Sequence, residues 1–217
     1  MSSRIDVVKS LLRSAAQSAG SQLVRIGMGG NSIRKKLSEL AFRRLLLSDS
    51  RLTAAVARVP DVAAVTVSSA PGLLRIDASF HDGNSLLVTF TPQRSAFAPR
   101  GAKEFAMRAA PEEAALSPRC GDIFAAIATE VAHALWGPFL RLNTDAARNS
   151  ARRALSHRHG DVLVVDLRSV PAVRAAMAQP LTAAAIEALS LKAVEVTSGG
   201  LKLVPNVAGL DISDMVD

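Results

Sequence analysis

Leu74-Arg75-Ile76-Asp77-Ala78-Ser79-Phe80-His81 alternates apolar and polar side chains without a break, and after Asp82-Gly83 the alternation resumes at Leu86, Val88 and Phe90. A period of two sends successive side chains to opposite faces of a strand, so one face of each run is apolar and the other polar. Asp-Gly tolerates positive φ, which a tight hairpin connection requires. Together these residues predict an antiparallel β-hairpin with one buried face. Upstream, Val65 and Val67 alternate with Thr66 and Ser68. Downstream, strands are predicted at Glu104–Arg108 and at Val162–Leu167, the latter apolar on both faces apart from Asp166 and so read as more buried. A second hairpin is predicted from Leu189–Thr197, a Ser198-Gly199-Gly200 turn and Leu201–Val204.

Between these strands the period becomes helical. Ile123, Ile127, Val131 and Leu135 form one stripe of a helix predicted to be capped by Asp122 and to end at Trp136, before Gly137-Pro138. Shorter helices are predicted from Pro111-Glu112-Glu113, from Thr144 to Ser156 and from Ser169 to Met177, with His157-Arg158-His159 left as a loop. The N-terminal region is predicted to be a series of helices. Ile5, Val8, Leu12, Ala19, Leu23 and Ile26 recur at three- and four-residue steps, Gly27-Met28-Gly29-Gly30 interrupts, and a second helix is predicted over 33–47. A third, capped at Asp49-Ser50, runs to Arg58 before Pro60. Helices and antiparallel strands are interspersed without βαβ alternation, so the class is α+β, an antiparallel sheet with hairpins packed on a long helix. Three regions are expected: a basic helical N-terminal region at 1–59, an α+β domain at 60–205 and an acidic tail at 206–217.

The 217 residues, 49% hydrophobic and 21% charged, are enough to bury a core and exclude a disordered chain. A single cysteine, Cys120, excludes a disulfide framework. The net charge of +7 is unevenly placed: residues 1–60 hold eleven basic residues against three acids, and the remainder fifteen against sixteen. Arg4, Lys9, Arg13, Arg25, Arg34, Lys35, Lys36, Arg43 and Arg44 are therefore candidate contacts for an anionic surface. A lipid headgroup layer, an acidic protein and duplex nucleic acid all fit that charge. Nucleic acid ranks last: 4% aromatics and no tyrosine leave no stacking platform for single-stranded bases, and no helix-turn-helix spacing marks a duplex reader. The segment around residues 4–26 reads as a basic amphipathic helix able to lie at an interface or to pack on the sheet. Lys9 and Arg13 break any secretory h-region, and no apolar run approaches the roughly 18 residues of a membrane span. A cytoplasmic protein, associated with a membrane through its surface, is the expectation.

Motifs that carry chemistry are few. Gly27-Met28-Gly29-Gly30-Asn31-Ser32 lacks the Walker lysine, and the third glycine of a dinucleotide fingerprint would fall at Ser32; a hinge or helix stop explains these glycines equally well. Glu130 and His133 have the i, i+3 spacing of half a di-iron site without its second half, and their helix stripe places them on an outer face as a surface pair. The two histidines of His157-Arg158-His159 have no further ligand at a recognisable spacing. Cys120, near a helix start, has no assignable base and reads as a packed thiol. Hydrolase, kinase, metalloprotease and GTPase signatures are missing. The sequence leans towards a non-enzymatic protein with no catalytic residue, metal or cofactor.

The C-terminal pattern Asp161-Val162-Leu163-Val164-Val165-Asp166-Leu167, a helix, then Leu191-Lys192-Ala193-Val194-Glu195-Val196-Thr197-Ser198-Gly199-Gly200-Leu201-Lys202-Leu203 resembles the closing strands of the tubular lipid-binding (TULIP-like) families. The resemblance spans roughly residues 62–205. It implies a curved antiparallel sheet wrapped around a long helix, with lipid held between them. Phe80, Val88 and Phe90 of the hairpin and Ile123, Ile127, Val131 and Leu135 of the helix are the candidate walls of such a groove. The expected function is non-enzymatic binding of lipid or another hydrophobic ligand, peripheral to an anionic membrane. The alternatives are an interaction module whose basic helices dock on an acidic protein, and duplex nucleic-acid binding.

Overall fold

The computed structural model describes residues 45–95, 101–137, 156–178 and 180–207. In chain order the elements are β1 (Leu45–Ser48), α1 (Asp49–Val56), β2 (Val62–Ala70), β3 (Leu73–Phe80), β4 (Ser85–Pro92), β5 (Glu104–Ala110), α2 (Glu112–Leu116), α3 (Pro118–Trp136), β6 (Ser156–His159), β7 (Val162–Asp166), α4 (Pro171–Met177), α5 (Pro180–Ala188), β8 (Leu189–Thr197) and β9 (Gly200–Val207). The strands form two antiparallel sheets, one of six in the order β2-β3-β4-β5-β7-β6 and one of three in the order β1-β9-β8. The fold is α+β.

The first hairpin forms as its alternation predicts. Along β3, Leu74, Ile76, Ala78 and Phe80 are buried, while Leu73, Arg75, Asp77 and Ser79 are exposed. Gly83, at φ 84°, takes the positive-φ position of the turn, and Asp82 accepts from the Asn84 backbone N–H at 3.1 Å. The buried face meets α3. Phe124 of that helix stacks on Phe105 at 5.5 Å between ring centroids and lies 5.9 Å from Phe90, which joins two strands to the helix through aromatic contact. Arg119 ion-pairs with Asp82 and lies over the Phe80 ring, 4.1 Å from its centroid, fixing the turn to the start of α3.

Several boundaries differ from the sequence reading. The helix predicted over 33–47 gives way at its end to β1, because Leu45, Leu46 and Leu47 pair with Leu203, Lys202 and Leu201, and Leu47 is buried there. Tertiary pairing outweighs the helical period. The cap of α1 is Ser48, whose Oγ accepts from Arg51 N–H at 3.3 Å, and not Asp49. Asp49 instead accepts from the backbone N–H and the hydroxyl of Ser69 on β2, at 3.2 and 2.7 Å. Thr53 Oγ accepts from Val67 N–H at 3.2 Å. Two side chains of α1 thus satisfy N–H groups on the outer edge of β2, where no further strand pairs among the described residues.

The long helix starts at Pro118, four residues before the expected cap Asp122, with proline at a position where its missing N–H costs nothing. His157-Arg158-His159 is strand β6, not a loop, paired with β7 through the two-residue turn Gly160-Asp161, with Gly160 at φ 61°. β7 buries Leu163 and Val165 on one face only; Val162 and Val164 are half-buried on the other. α5 has no counterpart in the sequence reading: its alanine-rich run carries no readable stripe.

Residues 45–59 are the described part of the expected N-terminal region, and of these β1 pairs with β9 while α1 packs on β2 and α3. β1 and α1 are therefore part of the same packed unit as the two sheets. Residues 1–44, the 144–155 part of a predicted helix and the tail beyond 207 lie outside the described residues.

Candidate functional site

The seven expected groove residues come together. Phe80 is 3% exposed, and Val88, Phe90, Ile123, Ile127, Val131 and Leu135 are fully buried, all in one contiguous core cluster between the six-stranded sheet and α3. The helix is covered on more than its sheet-facing stripe. Thirteen of its nineteen residues are buried, among them Ala125, Ala126, Thr129 and Ala132, which point away from the Ile123–Leu135 stripe. A helix laid on a sheet buries one side; α3 is enclosed.

The nine residues expected to contact an anionic surface, Arg4 to Arg44, lie outside the described residues. The last two of the eleven early cations are described, and both are matched by the body. Arg51 Nε donates to Glu130 Oε2 at 3.0 Å, and Arg58 lies 3.6 Å from Glu130 Oε1. The arginine side chains are 47% and 44% exposed, whereas that of Glu130 is 7% exposed.

This corrects the placement of Glu130 and His133 on an outer face. α1 packs over that side of α3, so both side chains are buried, with His133 Nδ1 3.8 Å from Glu130 Oε1. Burial pushes the Glu130 carboxyl up, but His133 and Arg51 more than offset it and hold the group at about 2. A carboxyl held low in the fold stabilises it above the ordinary glutamate range, and that contribution is lost as pH falls from about 4.5 through about 2. Glu130→Gln is accordingly expected to flatten the acid limb of stability against pH. Urea midpoints measured from pH 6 to pH 2 check this: equal slopes for the variant and the parent would refute the role given to Glu130.

A second buried charge cluster carries no signal in the sequence. Lys103, just ahead of β5, is fully buried, and its Nζ donates to the carbonyls of Glu187 at 3.1 Å and Leu189 at 2.9 Å, where α5 ends and β8 begins. Its backbone N–H donates to Asp166 Oδ1 at 3.2 Å, and its carbonyl accepts from Leu167 N–H at 2.9 Å. Arg168 joins Asp166 at 2.9 Å and lies 3.8 Å from Glu187. Burial pushes the Lys103 ammonium below the usual lysine range, with Glu187 opposing. The arrangement ties the end of one helix to the sheet, which is a structural task.

Cys120 is buried, and burial pushes its thiol up to about 12, so it has neither the access nor the thiolate of a nucleophile. Among the described residues no group of three or more His, Cys, Asp and Glu side chains converges on a metal position. None of the described helices is long and apolar enough to cross a membrane.

No family model, no curated protein and no solved structure matches the chain. Among the described residues, two features stand out: the enclosed helix, and a body that takes up Arg51 and Arg58 with its own carboxylate.

Proposed function

We propose that this chain is a non-enzymatic lipid-binding protein that docks on an anionic membrane surface through residues 1–44. The partition of charge carries the reading. Residues 1–44 hold nine basic residues against two acids, which is the whole net charge of +7, while residues 45–217 hold seventeen of each. A cationic segment joined to a neutral body is suited to attach that body to an anionic layer, at about 1 kcal/mol for each cation near the surface. The enclosed α3 supports the lipid half, because a long helix against an antiparallel sheet is part of what the tubular lipid-binding resemblance implies, with α1 covering its other side.

Vesicle flotation tests this. The full chain is expected to float with phosphatidylserine-containing vesicles, to release as salt rises, and to ignore pure phosphatidylcholine. Changing Arg34, Lys35, Lys36, Arg43 and Arg44 together to glutamine is expected to weaken binding at least about hundredfold. Equal binding to both vesicle types, or none to either, overturns the docking. Organic extraction of the purified protein tests the cargo, with co-purified lipid as the expected result.

One observation favours a second reading. All seven groove residues are packed in the core, so a ligand between helix and sheet would require the two to separate. An interaction module whose basic segment docks on an acidic protein needs no such opening. Binding to an acidic polypeptide such as polyglutamate, with anionic vesicles ignored and no lipid extracted, is the result that would select it.

A further inference from the structure

The face of the six-stranded sheet that looks away from α3 presents two histidines at its border. On β6, His157 pairs with Val164 and His159 with Val162, whereas Arg158 pairs with Leu163. Directly paired residues share a face, and Leu163 belongs to the core. Arg158 is therefore on the inner side, where its guanidinium reaches the carbonyl of Ala115 at 3.5 Å. The two imidazoles stand together on the outer side, both exposed. Their Cα atoms are two strand residues apart, about 6.7 Å, a span that two imidazoles close when both turn to one ion.

We propose that His157 and His159 form a binding site for a borderline divalent cation, one that takes Cu²⁺ most strongly and Zn²⁺ more weakly. Three features of the surroundings favour it. Among the described residues neither imidazole is engaged in a hydrogen bond or ion pair, so none of these residues has to be displaced. Among the described residues β6 is the last strand of its sheet, with no described strand on the outer flank of the pair. Across the sheet, Arg108 of β5, which pairs with Val162 of β7, is held 3.2 Å from Asp161 in the β6–β7 turn, so that cation is matched by a carboxylate. The strand supplies two nitrogen ligands, and water completes the coordination of the ion.

The untagged full chain, stripped with chelator and titrated with Cu²⁺ alone in a non-coordinating buffer, provides the test. One ion per chain with two-nitrogen coupling in the electron paramagnetic resonance spectrum is expected. His157→Gln and His159→Gln should each weaken binding at least about tenfold, since the second ligand of a chelate acts at high effective concentration. Exposed His81, on the β3–β4 turn, serves as the control, and His81→Gln should leave the titration unchanged. A site that persists in the His157→Gln/His159→Gln double variant, or a parent chain that binds no stoichiometric copper, overturns the proposal. Both substitutions are on an exposed edge, and unchanged circular dichroism confirms that the fold is intact.

Discussion

Gly200→Val is expected to lower the melting midpoint by roughly 8–16 °C, the shift that a loss of about 4 kcal/mol produces in a chain of this size. Gly200 opens β9 at a φ of 152°, a region that side chains larger than hydrogen rarely enter. A Cβ placed there would lie 2.2 Å from the Leu47 carbonyl oxygen, 2.9 Å from its carbon and 3.0 Å from Ser48 Cα. All three are backbone atoms of β1, so no side chain can swing aside. Relief requires β1 to move off β9, which breaks the Ser48–Gly200 end of the register and the Asp49 N–H to Gly199 carbonyl bond at 3.3 Å. Gly72→Ala is the matched control. Gly72 is also at positive φ, 79°, but has nothing within 4 Å of the added carbon, so only backbone strain of about 1 kcal/mol is expected. Thermal melts followed by circular dichroism compare the two. A Gly200 variant no less stable than the Gly72 variant would show that β1 is not locked as described.

The second large effect is expected at Lys103. Lys103→Met keeps most of the side-chain volume and removes the ammonium, leaving the Glu187 and Leu189 carbonyls without that donor and Glu187 and Asp166 with Arg168 alone of the two cations. Removing one partner from a buried charge cluster costs about 3–5 kcal/mol. Lys103→Ala adds a cavity and is expected to cost more. Urea denaturation at pH 7 measures both. A Met variant as stable as the parent would mean that the junction of α5 and β8 holds without the lysine.

Neither of these positions announces itself in the sequence. The alternation from Leu74 to Phe90 is legible because a half-buried strand writes its burial into a two-residue period. The Ile123–Leu135 stripe is legible for the same reason at helical spacing. Leu45–Leu47 reads as helix because three leucines fit either period, and only pairing with Leu201–Leu203 decides between them. The burial of Glu130 depends on α1, some seventy residues earlier in the chain, lying across it. Nothing local marks such a contact. Lys103 is the extreme case: a lysine between short loop residues and a strand looks solvated until the end of α5 arrives above it. The groove residues were readable as core, since periodicity reports burial. Whether that interior admits a guest is a property of how helix and sheet separate, which no period encodes.

The cap that α1 places on β2 has a consequence for how the protein behaves in concentrated solution. Thr53 and Asp49 occupy the hydrogen-bonding positions that an incoming strand from another molecule would need at Val67 and Ser69. An eight-residue helix is in this way the gatekeeper against runaway polymerisation along that border of the sheet.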